Sequence, residues 1–256
     1  MEQIAKDRFF TMAETYDRMA PYMVPQYDLI QNEVFNIVGF SKEKELIVID
    51  LGAGSGIFLE KVLSYYPNAV CYWIDFSLDF LKVAQGRLER FKNRVNYIHS
   101  ALEKNWEEHL DQKPDLIFSM SAIHHLENME KEILYKKCFQ LLNEGGWFFN
   151  ADEMKTLHKE PYKNSLIYWA NYVSSSKDNL PVRLIPYFEK WNTHFENWKL
   201  RNIENFDLPN YKGDDLHENF IDQLNWLSEA GFRNQDIFVK YHLWNLIGGQ
   251  KIITNY

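Results

Sequence analysis

The sequence predicts a doubly wound α/β fold, in which a mostly parallel sheet carries helices on both faces. Residues 45–52, ELIVIDLG, form a continuous apolar run that ends in an acid and a glycine. Such a run is typical of a strand buried on both faces of a parallel sheet. Apolar runs then alternate with helix-like segments as far as residue 152, and this alternation is the pattern of repeated βα units.

The other elements of this first region follow from apolar spacing and helix-breaking residues. Residues 4–38 have apolar positions at helical spacing, interrupted at Pro21 and Pro25, which predicts two or three short helices before the sheet. After the first strand we expect helices at residues 58–66, 78–91 and 131–142, and strands at residues 69–75, 95–101, 115–122 and 147–152.

The alternation stops between residues 154 and 215, where the chain is rich in Trp, Tyr, Phe and Asn. We interpret this stretch as an inserted helical cap. An amphipathic helix at 217–230 and two apolar runs at 236–244 and 246–254 then complete a seven-stranded sheet. The predicted regions are a helical lid at residues 1–40, a sheet domain at 41–153 and 216–256, and the cap at 154–215.

Composition limits the choice of partner. The formal net charge of −8 leaves no surplus of Lys and Arg to neutralise a phosphate backbone, so nucleic acid is an unfavourable partner. Cys71 and Cys138 both lie in apolar segments, which indicates buried thiols rather than a disulfide. The N-terminal residues lack a long apolar stretch, so we expect a cytoplasmic monomer or homodimer without a membrane partner.

The clearest motif is VIDLGAGSGIF, in which Asp50 precedes three alternating glycines. A dinucleotide fingerprint would need a glycine at position 57, which is Ile57. The G-x-G-x-G spacing after an acid resembles the first motif of class I S-adenosylmethionine-dependent methyltransferases, which have a Rossmann-like sheet. The resemblance implies that the loop passes under the methionine part of the cofactor, with binding residues Asp50, Gly52, Ala53, Gly54 and Gly56.

A second acid, Asp75, ends the next predicted strand, where a carboxylate can accept hydrogen bonds from both ribose hydroxyls. The segment that follows, DFSLDFLKVAQGRL, resembles the family pattern of an acid, a serine and a helix with Leu and Ala. The resemblance places Ser77 at the cofactor and Phe76 and Phe80 on the two sides of the adenine.

Three further groups of cofactor contacts are implied by the resemblance. Ser100, Ala101 and Leu102 follow the third strand and would lie beside the adenine, and Ser119 and Met120 end the fourth strand beside the methionine part. The segment AETYDRMAPYM resembles small-molecule methyltransferases and the carboxy-S-adenosylmethionine synthases, which implies that Tyr16 reaches the cofactor carboxylate.

His124, in the segment LIFSMSAIHHLEN, is the candidate catalytic residue. Imidazole titrates near neutral pH, so His124 could remove a proton from the acceptor or could only position it. A metal site is not expected, because adjacent histidines diverge and no Cys or acid cluster completes a ligand set near His124 and His125.

The candidate substrate-binding residues are His124, Tyr22 of the lid, and cap residues Trp169, Tyr172, Arg183 and Trp198. The aromatic residues could instead form the core of the cap, and Arg183 could be an exposed surface residue. Both alternatives stay open from the sequence.

The favoured function is transfer of a methyl group from S-adenosyl-L-methionine to an O or N atom of a small aromatic or carboxylated acceptor, with S-adenosyl-L-homocysteine as the product. One alternative is a cofactor- or tRNA-modifying enzyme of the carboxy-S-adenosylmethionine synthase type, although the acidic charge disfavours a tRNA surface. The other is a non-catalytic protein that binds the cofactor, because fold alone does not establish activity.

Overall fold

The structure, a computed structural model, describes residues 12–252 and contains one seven-stranded sheet in the order β3-β2-β1-β4-β5-β7-β6. The first five strands pair in parallel, and β7 is antiparallel to both β5 and β6. The predicted α/β class and seven-stranded sheet are confirmed. The strands are β1 (Ile47–Leu51), β2 (Val70–Asp75), β3 (Val95–His99), β4 (Leu116–Met120), β5 (Trp147–Glu153), β6 (Arg233–Tyr241) and β7 (Trp244–Gln250).

Eight α-helices lie within the described residues 12–252. They are α1 (Ala13–Met23), α2 (Tyr27–Val38), α3 (Ile57–Tyr65), α4 (Leu78–Leu88), α5 (Asn128–Leu141), α6 (Lys159–Ser176), α7 (Ile185–Lys199) and α8 (Phe220–Ala230). The part of the predicted lid at residues 1–11 and the last four residues lie outside the described range.

The helices form two layers, one on each face of the sheet. Side chains of α1 to α4, α6 and α7 share one buried cluster with Val48, Trp73 and Phe118 of the sheet. On the other face, α5 and α8 pack with Ile49 and Ile117 in a second cluster. Because β1 lies between β2 and β4, the connections leave it in opposite directions, and a crevice opens at the carboxyl ends of these strands.

The predicted helix at residues 78–91 is shorter in the structure. It ends at Leu88 and continues as a 3₁₀ turn, Glu89–Arg94. The Arg94 guanidinium donates hydrogen bonds to the carbonyls of Leu63 and Pro67, at 3.1 and 2.9 Å, and so fixes this turn against the end of α3. The spacing of apolar residues does not show where the α-helix ends and the 3₁₀ turn begins.

The region predicted to be a cap contains α6 and α7, which are joined to the rest of the chain by a common core. Trp169 of α6 donates a hydrogen bond to the carbonyl of Met23 in α1, at 2.8 Å. Phe188 and Phe195 of α7 belong to the same buried cluster. The division of residues 154–215 from the sheet domain as a separate cap stays a prediction. No helix within residues 12–252 is long and apolar enough to cross a membrane.

Candidate functional site

The glycine loop after β1 has the strained backbone that its sequence predicts. Gly52 and Gly54 have φ values of +68° and +50°, in the left-handed region that favours glycine. The N–H groups of Gly52 and Ala53 both donate to the Ile74 carbonyl, at 2.8 and 3.1 Å. A Cβ on Gly54 would point at the Phe80 ring, 3.8 Å away. Because Gly54 has no side chain, space for a ligand remains between the loop and the Phe80 ring.

Asp75 ties the two ligand-binding loops together. Its carboxylate accepts hydrogen bonds from the N–H of Gly54 and the N–H of Ser77, both at 2.9 Å. Burial raises the pKa of Asp75, although the two backbone N–H groups offset part of that effect. Each carboxylate oxygen can accept a second hydrogen bond, so Asp75 can still receive two ribose hydroxyls.

Aromatic residues cover the loop. Ser77 caps α4 by accepting a hydrogen bond from the N–H of Phe80, at 3.2 Å. The Tyr16 ring lies edge-on to Phe80, with ring centres 5.7 Å apart, and is equally far from Trp191 of α7. Burial raises the pKa of Tyr16 to about 12, so its hydroxyl stays protonated. Helix α1 and helix α7 thus meet above the predicted cofactor site.

One arginine links α1 to the glycine loop. Arg87 of α4 forms ion pairs with Asp17 of α1 at 2.6 Å and with Glu60 of α3 at 2.7 Å. Its Nε donates to the Ser55 carbonyl inside the loop, at 3.0 Å. We call Asp17, Arg87 and Glu60 the lid latch. These partly buried, multiply bonded charges hold α1 in place more firmly than an exposed pair does.

Removing the latch is expected to speed cofactor release. Asp17→Asn should raise the dissociation rate of S-adenosylhomocysteine by about three- to tenfold, since it replaces a charge-assisted hydrogen bond of about 1.5–3 kcal/mol by a neutral one of about 0.5–1.5 kcal/mol, a loss of about 1 kcal/mol. Stopped-flow fluorescence with displacement of bound ligand measures this rate. Glu89→Gln is the matched control, because Glu89 forms an exposed ion pair with Lys92 in the same 3₁₀ turn. Equal rates for both variants would refute the latch.

Residues at the end of β4 contact β1, the strand that leads into the glycine loop. The Ser119 hydroxyl donates to the Leu51 carbonyl at 2.8 Å and is buried, so it holds β1 rather than facing the crevice. Met120 Sδ accepts a hydrogen bond from the Gln31 amide at 3.3 Å. Gln31 Oε1 and Ser121 Oγ are buried and make no hydrogen bond with described residues, although the hydroxyls of Tyr27 and Tyr16 lie near them. Such orphaned acceptors fit a ligand with amino and hydroxyl donors.

The other predicted cofactor residues occupy the same edge of the sheet. The Ser100 N–H donates to the Asp75 carbonyl at 3.0 Å, so residues 100–102 follow β3 beside Asp75. Phe76 is 42% exposed and offers a ring face, whereas Leu102 is buried in the second core cluster. Asp50 is buried, which raises its pKa well above the usual range. Their contacts with a cofactor stay predictions.

His124 lies between two carboxylates. Its backbone N–H donates to Asp152 at 2.8 Å, its Nδ1 is 2.6 Å from the other Asp152 oxygen, and its Nε2 is 3.8 Å from Asp215 Oδ1. Burial alone would lower the pKa of His124, but the charge and hydrogen bond of Asp152, with Glu153 and Asp215, raise it to about 9. In this arrangement His124 is protonated at neutral pH. A general base role is therefore disfavoured and a positioning role is favoured.

The expectation that His124 and His125 diverge, with no acid nearby, is wrong. Their ring centres are 4.0 Å apart, and His125 Nδ1 is 3.7 Å from the same Asp215 oxygen that faces His124. Asp215 is also close to a second pair, in which His217 Nε2 is 3.1 Å from Glu153 Oε2. Residues distant in sequence thus form a histidine and carboxylate cluster at the carboxyl ends of β4 and β5.

The candidate substrate residues separate into two groups. Trp169 and Trp198 are buried, their ring centres are 4.4 Å apart, and Trp198 donates to Asp215 Oδ2 at 2.8 Å. This packing favours the core alternative for both. Tyr22 and Tyr172 are half-buried, and Arg183 is exposed in a short 3₁₀ turn.

Several residues of the site were not singled out in the sequence. Asp152 and Glu153 are the last two residues of β5. Asp75 is the last residue of β2 and Asp50 the next to last of β1, so the same pattern of an acid at a strand end could have identified them. No local pattern marks Asp215 and His217, because they lie in an irregular segment that only the fold brings to β5.

Comparison with known proteins agrees with this geometry. Residues 48–146 match the model of a family described as a methyltransferase domain. The chain is 31% identical over 137 residues to malonyl-[acyl-carrier protein] O-methyltransferase 2 of Ilyobacter polytropus, covering 52% of this chain and 48% of that protein. It is 24% identical to carboxy-S-adenosyl-L-methionine synthase of Nautilia profundicola, covering 69% and 78% of the two chains.

The fold is similar to that of human N-acetylserotonin methyltransferase in complex with S-adenosylmethionine, with a TM-score of 0.57 and 14% identity, over 94% of this chain and 57% of the other. The chain spans about half the length of the first curated relatives it matches. These findings identify residues 48–146 as a methyltransferase domain of the class I S-adenosylmethionine-dependent type.

Proposed function

We propose that this chain transfers the methyl group of S-adenosylmethionine to an oxygen or nitrogen atom of a small carboxylated or aromatic acceptor. The main support is the hydrogen bond from the Gly54 N–H to the Asp75 carboxylate, which connects the glycine loop to β2. The packed rings of Phe80 and Tyr16 cover this loop. When bound, the cofactor supplies a methyl group on a sulfonium, which is already an activated leaving group. Asp75, the loop and the orphaned Gln31 oxygen would hold the cofactor.

An acceptor that arrives ionised fits the site best. Because Asp152 keeps His124 protonated, this candidate catalytic residue is a poor proton acceptor at neutral pH. A carboxylate needs no base, whereas a phenol or an ammonium group must lose a proton first. The relatives named malonyl-[acyl-carrier protein] O-methyltransferases support an oxygen acceptor. What remains for the chain is to align the acceptor with the methyl group and to exclude water.

The carboxy-S-adenosylmethionine synthase relatives support a second candidate function, modification of the cofactor itself. Burial of Tyr16 above the loop, between Phe80 and Trp191, is compatible with a small co-substrate held close to the cofactor. The two functions differ in whether a methylated acceptor leaves the site.

The test is mass spectrometry after incubating the protein with S-adenosylmethionine and a panel of acceptors. The panel contains malonyl thioesters, aromatic carboxylic acids, amines and phenols. We expect S-adenosylhomocysteine together with a methyl ester of one carboxylated acceptor. An altered cofactor without any methylated acceptor would establish the second function. Calorimetric binding of S-adenosylhomocysteine without turnover on any acceptor would support a non-catalytic protein and contradict methyl transfer.

A further inference from the structure

We propose that Glu153, Asp215 and His217 bind one divalent transition-metal ion at the carboxyl end of β5. The three residues come from the end of β5 and the segment before α8, and all three are at least nine-tenths buried. Each offers a ligand atom, and these three atoms lie within 4.8 Å of one another. Asp215 also belongs to a second group with His124 and His125, whose ligand atoms lie within the same distance of one another. A metal ion here is contrary to the expectation from sequence that no metal is bound.

Two of these ligand atoms lack a hydrogen-bond partner within residues 12–252. His217 Nε2 and Glu153 Oε2 are buried and make no hydrogen bond with the described residues. They lie 3.1 Å apart, but their orientation is not that of a hydrogen bond. Leaving a buried polar atom unpaired costs about 1–3 kcal/mol, and more if it is charged. A cation between the two atoms would satisfy both.

Other atoms of His217 and Asp215 are already held by hydrogen bonds. His217 Nδ1 is 2.8 Å from the Tyr162 hydroxyl. Asp215 Oδ2 accepts a hydrogen bond from Trp198. His217 Nε2 and Glu153 Oε2 are therefore the unpaired atoms left for an ion, and an Asp215 oxygen lies within 4.8 Å of a ligand atom of each residue. Histidines that bind metals usually donate their second ring N–H to a carboxylate or another acceptor in this way.

The spacing and the donor types indicate the class of ion. Ligands at about 2.0–2.2 Å from an ion lie roughly 3.0–3.5 Å from one another. The 3.1 Å between His217 Nε2 and Glu153 Oε2 fits this spacing, and the Asp215 oxygen lies within 4.8 Å of both ligand atoms. Imidazole mixed with carboxylate, without sulfur, suits Zn²⁺, Fe²⁺ or Mn²⁺ better than Ca²⁺.

Charge also favours an ion at this place. Asp152, Glu153 and Asp215 are three buried carboxylates within one cluster. Arg201 is 3.8 Å from Asp215 Oδ2. Arg201 and the protonated His124 offset two of these negative charges, and a divalent cation would offset the third. If the chain methylates an oxygen acceptor, as proposed above, the ion would also offer a Lewis acid for that oxygen.

The test is a zinc titration of the full chain after removal of metals with a chelator. We expect isothermal titration calorimetry to give about one Zn²⁺ per chain, and Co²⁺ to produce an absorption spectrum typical of nitrogen and oxygen ligands. Glu153→Gln keeps the side-chain volume and should weaken Zn²⁺ binding by at least about 100-fold. Tyr162→Phe should weaken it by about tenfold, because loss of an outer hydrogen bond typically costs 10–100-fold.

The controls separate this site from surface histidines and from the cofactor site. His109→Ala, an exposed histidine in a 3₁₀ turn, should leave Zn²⁺ affinity unchanged. Each variant is also titrated with S-adenosylhomocysteine, so that a folding defect or a failure of the proposed function is seen independently of metal binding. Absence of Zn²⁺ binding to the wild type, or equal binding to Glu153→Gln, would overturn the inference.

Discussion

Replacing Asp75 with alanine is expected to weaken S-adenosylhomocysteine binding by at least about 100-fold. Two charge-assisted hydrogen bonds to the ribose would be lost, and each contributes about 1.5–3 kcal/mol, while tenfold in affinity corresponds to about 1.4 kcal/mol. The Asp75 carboxylate also accepts hydrogen bonds from the N–H groups of Gly54 and Ser77, both at 2.9 Å, and the substitution removes these two bonds. The glycine loop would therefore lose its link to β2. Isothermal titration calorimetry measures the affinity.

Two further variants make this result specific. Asp236→Ala is the matched control, because Asp236 is exposed on the edge strand β6, at the other side of the sheet. Asp75→Asn keeps one acceptor oxygen and should fall between wild type and Asp75→Ala. Circular dichroism and thermal unfolding show whether each variant is folded. Wild-type affinity in a folded Asp75→Ala protein would place the ribose elsewhere and remove the main support for the cofactor site.

The parts of this structure that could be predicted from sequence are those with a local cause. Strand β1 is apolar because both of its faces are covered, and its five residues are all buried. The loop after it contains three glycines because the backbone there has positive φ. Asp75 was identifiable because an acid at the end of a buried parallel strand lies at the open edge of the sheet.

The histidine and carboxylate cluster could not be predicted, because its contacts join residues far apart in sequence. Asp215 is 91 positions from His124, and only the return of the chain from α7 to α8 places it there. The Leu216 N–H donates to the His124 carbonyl at 2.8 Å, which fixes that return. The aromatic residues of α6 and α7 raised the same difficulty, since helical spacing does not tell whether Trp169 faces a ligand or a core.

The second large effect concerns Gly52, where two loops of the site approach most closely. A Cβ on Gly52 would lie 2.3 Å from the Ala122 Cβ, and Gly52 has a φ of +68°. Gly52→Ala is therefore expected to lower the free energy of unfolding by about 2–4 kcal/mol, of which about 1–2 kcal/mol comes from the left-handed backbone and the rest from overpacking. Urea unfolding followed by circular dichroism measures the change.

The two contributions can be separated with matched variants. Gly145→Ala has a φ of +79° but no atom within 4 Å of the added Cβ, so it should show the backbone cost alone. In the double variant Gly52→Ala and Ala122→Gly, the contact is relieved, so its loss relative to the single variant Ala122→Gly should fall to that of Gly145→Ala. If the double variant is as unstable as Gly52→Ala, the loops do not touch as the structure has them. Recovery of stability and of S-adenosylhomocysteine affinity together would show that the close approach of Gly52 to Ala122 both stabilises the fold and shapes the cofactor site.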